Sequence, residues 1–409
     1  MVTKTATVPP PYLVSWNITK RCNLKCAHCY LEASEFEGAG DISTDDAKGF
    51  VEEITSLNPA AMLILTGGEP LLRPDFFDIA GHASKKGLTV FVGTNGTLLD
   101  YATVERMTRS GVKGVGVSLD STAPGYHDRF RGKEGSWHES VEGIKNLRRA
   151  GLDFQVQFTV TRENREELPG LIELSRDLGA RAVNVFFLVC TGRGQDSTDL
   201  SSAEYEETLD YLLEAEKTHR GNIIVRARCA PHFLRVAEQK DPENPLLKGA
   251  TSGCIAGRTY LRISPEGFVS PCPYIPVDKN SPSLKTRRLR EIWEGDGVFY
   301  SLRNPEYRGR CRECEYTTLC GGCRARALTK GDLFGEDPWC GHEPGKGLKA
   351  KKEIKTEKPQ WTKEALARLE RVPPFLKEMV ATGVERYAMS KGIKEITPEV
   401  MGEMRKTFN

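Results

Sequence analysis

Between residues 12 and 188, short apolar runs alternate with segments whose apolar positions recur every three or four residues. Tyr12 to Ile18, Ala61 to Leu65, Leu88 to Val92, Gly114 to Leu119, Phe154 to Val160 and Val183 to Leu188 read as buried strands. The intervening periodicity predicts helices near 44–56, 74–85, 100–110, 137–150 and 165–178. Ser43 is placed to cap the first of them, with Asp45 and Asp46 in its acidic first turn. About six β-α units in succession imply parallel strands with helices outside. Barrel-like folds of this class bind ligands at the C-terminal ends of their strands. Four segments fall at such ends: the loop after the first strand, Gly67-Gly68-Glu69, Thr94-Asn95 and Ser118-Leu119-Asp120.

The pattern changes after residue 220. Residues 221–253 read as a transition, and 254–340 combine seven cysteines with little helical periodicity. Metal is therefore expected to organise that stretch more than an apolar core does. The division this suggests is an α/β unit over 1–220, a cysteine-rich unit with its connector over 221–344, and a linker over 345–360 rich in Lys and Gly. A small helical unit over 361–409 follows. Its Leu366, Leu369, Val372, Phe375, Leu376, Met379, Val380 and Val384 fit one helical face, interrupted at Pro373-Pro374.

With 39% hydrophobic and 28% charged residues, the 409-residue chain has the composition of a soluble globular protein. A formal net charge of +2 gives no argument for nucleic acid or a membrane as partner. No apolar run reaches the roughly 18 residues a membrane span needs. Met1-Val2-Thr3-Lys4 lacks the charged-then-apolar order of a signal peptide, so a cytoplasmic location is expected. In that compartment 12 cysteines point to metal ligation rather than disulfides.

Three of these cysteines lie in the run Arg21-Cys22-Asn23-Leu24-Lys25-Cys26-Ala27-His28-Cys29-Tyr30, spaced C-x3-C-x2-C. Thiolates this close can hold three irons of one [4Fe–4S] cube and leave the fourth iron open to a chelating small molecule. A zinc site would want a fourth Cys or His, and His28, between Cys26 and Cys29, is the candidate on paper. Thr66-Gly67-Gly68-Glu69-Pro70 follows a buried strand, where a Gly turn lets backbone approach a ligand closely. Further on stand Cys254-x12-Gly267-x4-Cys272, then Cys311-x2-Cys314-x5-Cys320-x2-Cys323, and Cys340. Alone, the two C-x2-C knuckles would fit a zinc ribbon.

A C-x3-C-x2-C loop followed by a strand ending in GGEP resembles the radical S-adenosylmethionine (SAM) superfamily. The resemblance implies an α/β fold, a partial (β/α)6 TIM-like barrel with an open side. It also implies a [4Fe–4S] cluster on Cys22, Cys26 and Cys29 whose open iron is chelated by the amine and carboxylate of SAM. The strand end at Gly67, Gly68 and Glu69 would contact the amine. Thr94 and Asn95 would shape the pocket, and Ser118, with Asp120 closing the same strand, would bond ribose or carboxylate. His127-Asp128-Arg129-Phe130-Arg131-Gly132 resembles a segment of relatives in which Arg131 would pair with the SAM carboxylate. The implied chemistry is reductive cleavage of SAM to a 5′-deoxyadenosyl radical that abstracts hydrogen from an unactivated C–H, with the protein supplying position and exclusion of water.

The second cysteine set is similar to the SPASM domain, departing from it at Cys320-x2-Cys323, where three intervening residues are usual. By position, Cys311, Cys314, Cys320 and Cys340 would hold one auxiliary [4Fe–4S] cluster, and Cys254, Cys272 and Cys323 a second. Either the second keeps an open iron or Cys229 or Cys190 completes it. Pro271 to Val277, Leu319 to Ala327 and Glu336 to Cys340 look like the tetrapyrrole branch of these enzymes. The tail resembles the small C-terminal domain of light-independent protochlorophyllide reductase. These features imply conversion of carboxylate side chains on a tetrapyrrole in heme biosynthesis, with a low-potential donor such as ferredoxin or flavodoxin and no nucleic-acid or membrane partner. Arg193, Arg226 and Arg228 are candidates to hold substrate carboxylates. The alternatives are a peptide or protein maturase and a non-enzymatic iron–sulfur or zinc module.

Overall fold

The computed structural model describes residues 8–406 apart from 37, 39, 196–199, 249–251, 346–358, 371, 373–376, 378–379, 382, 386 and 389–392. Its strands are β1 (Leu13–Thr19), β2 (Met62–Gly67), β3 (Thr89–Thr94), β4 (Gly114–Ser118), β5 (Phe154–Val160), β6 (Ala182–Phe187), β7 (Ile224–Arg228), β8 (Tyr260–Ile263) and β9 (Val269–Ser270). The helices between and after them are α1 (Thr44–Leu57), α2 (Phe76–Lys85), α3 (Tyr101–Arg109), α4 (Pro124–Arg131), α5 (Ser136–Arg149), α6 (Leu168–Leu178), α7 (Ser202–Thr218) and α8 (His232–Lys240). Caps fix where several of them start. The Ser43 side chain accepts from Asp46 N–H, and Ser201 and Glu204 form a reciprocal capping box at α7.

The nine strands form one sheet in the order β7-β6-β5-β4-β3-β2-β1-β8-β9, parallel except for the β8–β9 pair. From β1 to β7 the spatial order is the chain order. Right-handed crossovers that always step in one direction place all their helices on the same face of the sheet. The other face is left free of helices and becomes the inside of an incomplete barrel. β5 shows the consequence: Phe154, Val156, Phe158 and Val160 are buried in the core with the helices, while Gln155, Gln157 and Thr159 point inward. Val14, Trp16, Leu63, Leu65, Val90, Val92, Val115, Val117, Val183 and Val185 belong to the same core.

Two expectations about organisation need correction. The stretch read as a transition contains β7 and α8, so seven parallel strands follow one another rather than six. β7 escaped notice because its inward positions are Arg226 and Arg228, which break the apolar run. The cysteine-rich stretch is not organised by metal ligands alone. It supplies β8 to the free edge of β1 and two seven-residue helices, Leu289–Gly295 and Gly297–Arg303, whose Leu289, Ile292, Trp293 and Phe299 join the main core. Helices of two turns are too short to show a period.

The tail has a core of its own, built from Ala365, Leu369, Val384, Ala388, Ile396, Val400 and Met401. It also contains a short parallel pairing of Gln360–Trp361 with Glu395–Ile396, which a purely helical reading did not anticipate. Leu366, expected on the apolar face, is 46% exposed. Phe375, Leu376, Met379 and Pro373-Pro374 lie outside the described residues, as does most of the 345–360 linker. No described helix is long and apolar enough to cross a membrane.

Candidate cluster and cofactor site

The loop after β1 carries Cys22, Cys26 and Cys29, which pack together with Leu24, Tyr30, Leu31 and Ala33. Neighbouring elements hold its backbone in place. Lys25 and Ala27 N–H donate to the carbonyls of Arg131 and Phe130 at the end of α4, and Cys22 N–H donates to Ser34. Arg193 clasps the loop from the far side. Its Nε donates to the Cys26 carbonyl at 3.0 Å, its Nη1 to the Ala33 carbonyl at 2.8 Å, and its own N–H to the Cys29 carbonyl at 3.1 Å. His28 lies stacked on Phe130 with centroids 4.4 Å apart, so it behaves as the aromatic residue at its position. Burial, with the Arg131 guanidinium nearby, pushes its imidazole down to about 3.

Burial pushes the Cys22 thiol up to about 12, with Glu69 and the other two cysteines adding to it, and the Cys26 thiol also rises. Two buried thiols and one half-buried thiol facing one another, with Arg131 beside Cys26, suit a cationic iron cluster, which would make thiolates the stable form. The spacing discriminates further. Two thiolates on one tetrahedral zinc lie roughly 3.8 Å apart, from a Zn–S distance of about 2.3 Å. Among the described residues, only Cys314, Glu315 and His342 bring three ligand atoms within 4.8 Å of one another.

The strand ends close around this loop. The glycines of Gly67-Gly68-Glu69 are needed for backbone packing. A Cβ on Gly67 would lie 2.4 Å from the Thr19 carbonyl oxygen, and one on Gly68 2.2 Å from that of Arg21. Only glycine lets the end of β2 dock against the start of the cysteine loop, where Gly68 and Glu69 N–H donate to Thr19 and Arg21. The buried Glu69 carboxylate accepts from Thr94 Oγ1 at 2.8 Å and Asn95 N–H at 2.9 Å. Burial still raises it to about 7. Asn95 Nδ2 in turn donates to Asn23 inside the cysteine loop at 2.9 Å. Glu69, Thr94 and Asn95 thus form one network joining the β2 and β3 ends to the cysteines.

Asp120 and Arg131 are bonded to each other. Arg131 Nε donates to Asp120 Oδ2 at 2.6 Å, its Nη1 lies 3.7 Å from Cys26 Sγ, and Thr159 N–H donates to Asp120 Oδ1 at 2.8 Å. Burial alone would raise the Asp120 carboxyl, but the Arg131 guanidinium beside it holds it below its ordinary value. Ser118 ends β4 half-buried on the inward face.

The second cysteine set divides into two neighbourhoods. Cys323 lies in an apolar cluster against which Cys229, Cys254 and Cys272 pack. Burial, with Cys323 beside it, pushes the Cys229 thiol up to about 12. Cys190 packs against the main core instead. Cys229 is one of two non-glycine residues with positive φ among the described residues, at 55°, a conformation that persists only where its surroundings enforce it. On the other side Cys340 lies near Cys320 and Cys311 near Cys314, with Arg235 facing Cys314, Cys320 and Cys340. Between the two groups lies a buried pair that sequence reasoning missed. Asp337 accepts from Arg326 Nη2 at 3.0 Å and Cys323 N–H at 2.7 Å, and Arg326 Nη1 donates to the Cys229 carbonyl at 2.8 Å. Burial opposes the charge on Asp337, yet Arg326 and His232 bring it down to about 2.

Comparison with known proteins agrees with this arrangement. The Radical SAM superfamily pattern matches residues 16–175. The AdoMet-dependent heme synthase of Methanosarcina barkeri (strain Fusaro / DSM 804) is 41% identical over 346 residues, 82% of this chain and 98% of that one. The chain belongs to the radical SAM superfamily. The AdoMet-dependent heme synthase of Nitratidesulfovibrio vulgaris is 37% identical over 349 residues, covering 82% of this radical SAM protein and 94% of the relative. An iron-sulfur cluster-binding domain pattern, SPASM, matches residues 254–315, and the proto-chlorophyllide reductase 57 kD subunit pattern matches 361–405. Among solved structures, Streptococcus suis SuiB bound to S-adenosylmethionine superposes with a TM-score of 0.68 at 16% identity, over 82% of this chain and 78% of that one. At that identity the likeness concerns the fold.

Two of Arg193's donor nitrogens are committed to loop carbonyls, while its buried Nη2 has no partner among the described residues. Arg228 Nε donates to Asn184 Oδ1 at 2.9 Å, and Asn184 Nδ2 to Gln155 Oε1 at 2.8 Å. The sequence offered only one signal for the missed Asp337 and Arg326, each lying three residues from a cysteine of the second set.

Proposed function

We propose that the protein is a radical SAM enzyme of heme formation that converts carboxylate side chains of an iron tetrapyrrole, losing CO2 from a propionate arm to leave a vinyl group. The observation that carries this reading is the 41% identity to an AdoMet-dependent heme synthase over 82% of this chain and 98% of that one, on a fold that keeps the three-cysteine loop together and packs Cys229, Cys254, Cys272 and Cys323 into one cluster. In this reading Cys22, Cys26 and Cys29 hold the SAM-binding cluster, and Cys311, Cys314, Cys320 and Cys340 one auxiliary cluster. Cys254, Cys272 and Cys323 hold the other, with Cys229 rather than Cys190 as the fourth ligand. Bound cluster and SAM together supply the carbon radical that takes a hydrogen atom from the substrate arm.

What the chain itself contributes is position. The Glu69 network leaves the backbone of the β2 end to face the SAM amine, while Thr94 and Asn95 set the pocket wall. Ser118, at the end of β4, would bond a SAM hydroxyl or carboxylate. Asp120 orients Arg131 so that its remaining nitrogen serves the SAM carboxylate while Nη1 faces Cys26. Loss of CO2 after hydrogen abstraction leaves one electron per arm, which the auxiliary clusters would pass on. A low-potential donor such as ferredoxin or flavodoxin supplies the reducing electrons.

Anaerobic incubation of the reduced, cluster-loaded protein with SAM and iron coproporphyrin III tests this. The expected products are 5′-deoxyadenosine and a porphyrin lighter by CO2 and two hydrogens for each arm converted. Deoxyadenosine without any change in porphyrin mass overturns the substrate assignment, and absence of deoxyadenosine overturns the radical chemistry.

A further inference from the structure

The inner face of the sheet carries one feature the cluster sites do not use. Strand register places Ser118, Gln157, Asn184 and Arg226 in a single row across β4, β5, β6 and β7. Arg228 occupies the next inward row, opposite Phe186 and Thr159. The two arginines, two residues apart on one strand, therefore share the inward face. With strands about 4.8 Å apart, Arg226 stands roughly 14 Å across the sheet from Ser118.

Among the described residues neither arginine has a carboxylate within ion-pair distance. Arg228 is tethered through Nε to Asn184, which leaves both Nη groups unengaged by the chain. Arg226 is half-buried with no partner of its own. Two adjacent, desolvated and uncompensated cations are costly to fold, and anionic ligands would relieve that cost. Of the six fully buried arginines among the described residues, four have a carboxylate partner, Arg73 with Asp75, Arg131 with Asp120, Arg235 with Glu206 and Arg326 with Asp337, while Arg262 bonds Asn17 and Arg324 backbone carbonyls. The neighbourhood adds direction. Arg228 directly precedes Cys229, at the Cys254–Cys272–Cys323 group, so the pair lies between the SAM-side strand ends and an auxiliary cluster position.

We infer that Arg226 and Arg228 form a carboxylate-binding pair that holds propionate side chains of the substrate on the inner face of β7. The inference rests on the tetrapyrrole reading of the site. The Arg228–Asn184–Gln155 chain keeps the guanidinium fork presented, and Arg226 closes on the same carboxylate or an adjacent one. Both are positioning residues that set which arm faces the radical.

The test measures binding of iron coproporphyrin III, and of its tetramethyl ester in detergent, by anaerobic absorption titration of the cluster-loaded protein. Variants are Arg226→Gln, Arg228→Gln, Arg228→Lys and the double Gln variant. Loss of one charge-assisted pair is expected to weaken coproporphyrin binding about tenfold or more, and the double change more than either single one. The ester is expected to bind wild type and variants alike, and Arg228→Lys to recover part of the loss. Iron content and substrate-free SAM cleavage should not change. Arg226→Gln breaks no bond within the chain, so it keeps the test valid if Arg228 variants fold poorly. Equal coproporphyrin affinity in wild type and folded Gln variants overturns the inference while leaving the tetrapyrrole reading standing. Failure of wild type itself to bind coproporphyrin overturns that reading, and the inference with it.

Discussion

Replacing Asp337 with Asn removes one charge from a fully buried pair and leaves the Arg326 guanidinium without its counter-ion. Two routes give the size of the effect. The carboxyl is held near 2 in the folded protein against about 3.9 in an unfolded chain, a difference that corresponds to roughly 2–3 kcal/mol. Breaking a buried ion pair by removing one partner typically costs about 3–5 kcal/mol, the excess being the stranded charge. The hydrogen bonds from Cys323 and Trp339 N–H to the same carboxylate are weakened too. With a urea m-value of about 3 kcal/mol/M, the midpoint should fall by about 1 M or more. The assay is anaerobic urea unfolding of the cluster-loaded protein by tryptophan fluorescence, with iron release followed in parallel. A double variant, Asp337→Leu with Arg326→Met, should lose much less than the sum of the single losses, because neither charge is then stranded. A midpoint shift under about 0.3 M for Asp337→Asn, or additive losses in the double variant, would refute the reasoning. The sign of the pH dependence follows. A depressed carboxyl contributes stability that is complete above its unfolded value, so this contribution should vanish only as pH falls from about 4 to about 2.

Three further changes test the loop around the first cysteines. His28→Phe should retain iron and be neutral or slightly stabilising, since the ring stacks on Phe130 and its Nδ1 is buried without a hydrogen bond; loss of iron in this variant would make His28 a ligand. Gly68→Ala places a Cβ 2.2 Å from a backbone oxygen, so the protein should lose the first cluster's iron while keeping the rest, and full iron content would show that β2 can move away. Arg193→Gln removes hydrogen bonds to the Cys26 and Ala33 carbonyls, each worth about 1.5–3 kcal/mol for a charged donor. Faster iron loss to a chelator is expected, and unchanged release kinetics would show that the loop needs no clasp.

The sequence alone determined the elements and the chemistry with local signatures. Alternating apolar and polar residues, as in Phe154 to Val160, fixed strands and their faces because burial on one side imposes a period of two. Ser43 fixed a helix start because unsatisfied N–H groups there need an acceptor. The C-x3-C-x2-C loop was legible because three ligands of one cluster must lie on a short stretch of chain. What tertiary structure decided was everything that depends on pairing across distance. The reason Gly67 and Gly68 must be glycine is backbone packing against Thr19 and Arg21, some fifty residues earlier in the chain. Cys229 joins Cys254, Cys272 and Cys323, and Cys190 does not, because β7 ends where the cysteine-rich unit packs. Arg131, Arg193, Arg226 and Arg228 look alike in sequence, and only their surroundings separate them. Two are engaged by a carboxylate or by carbonyls, and two face inward with charge that no acidic neighbour offsets. A charged side chain's role is set by the electrostatic environment the fold builds around it, and that environment is assembled from residues far apart in the chain.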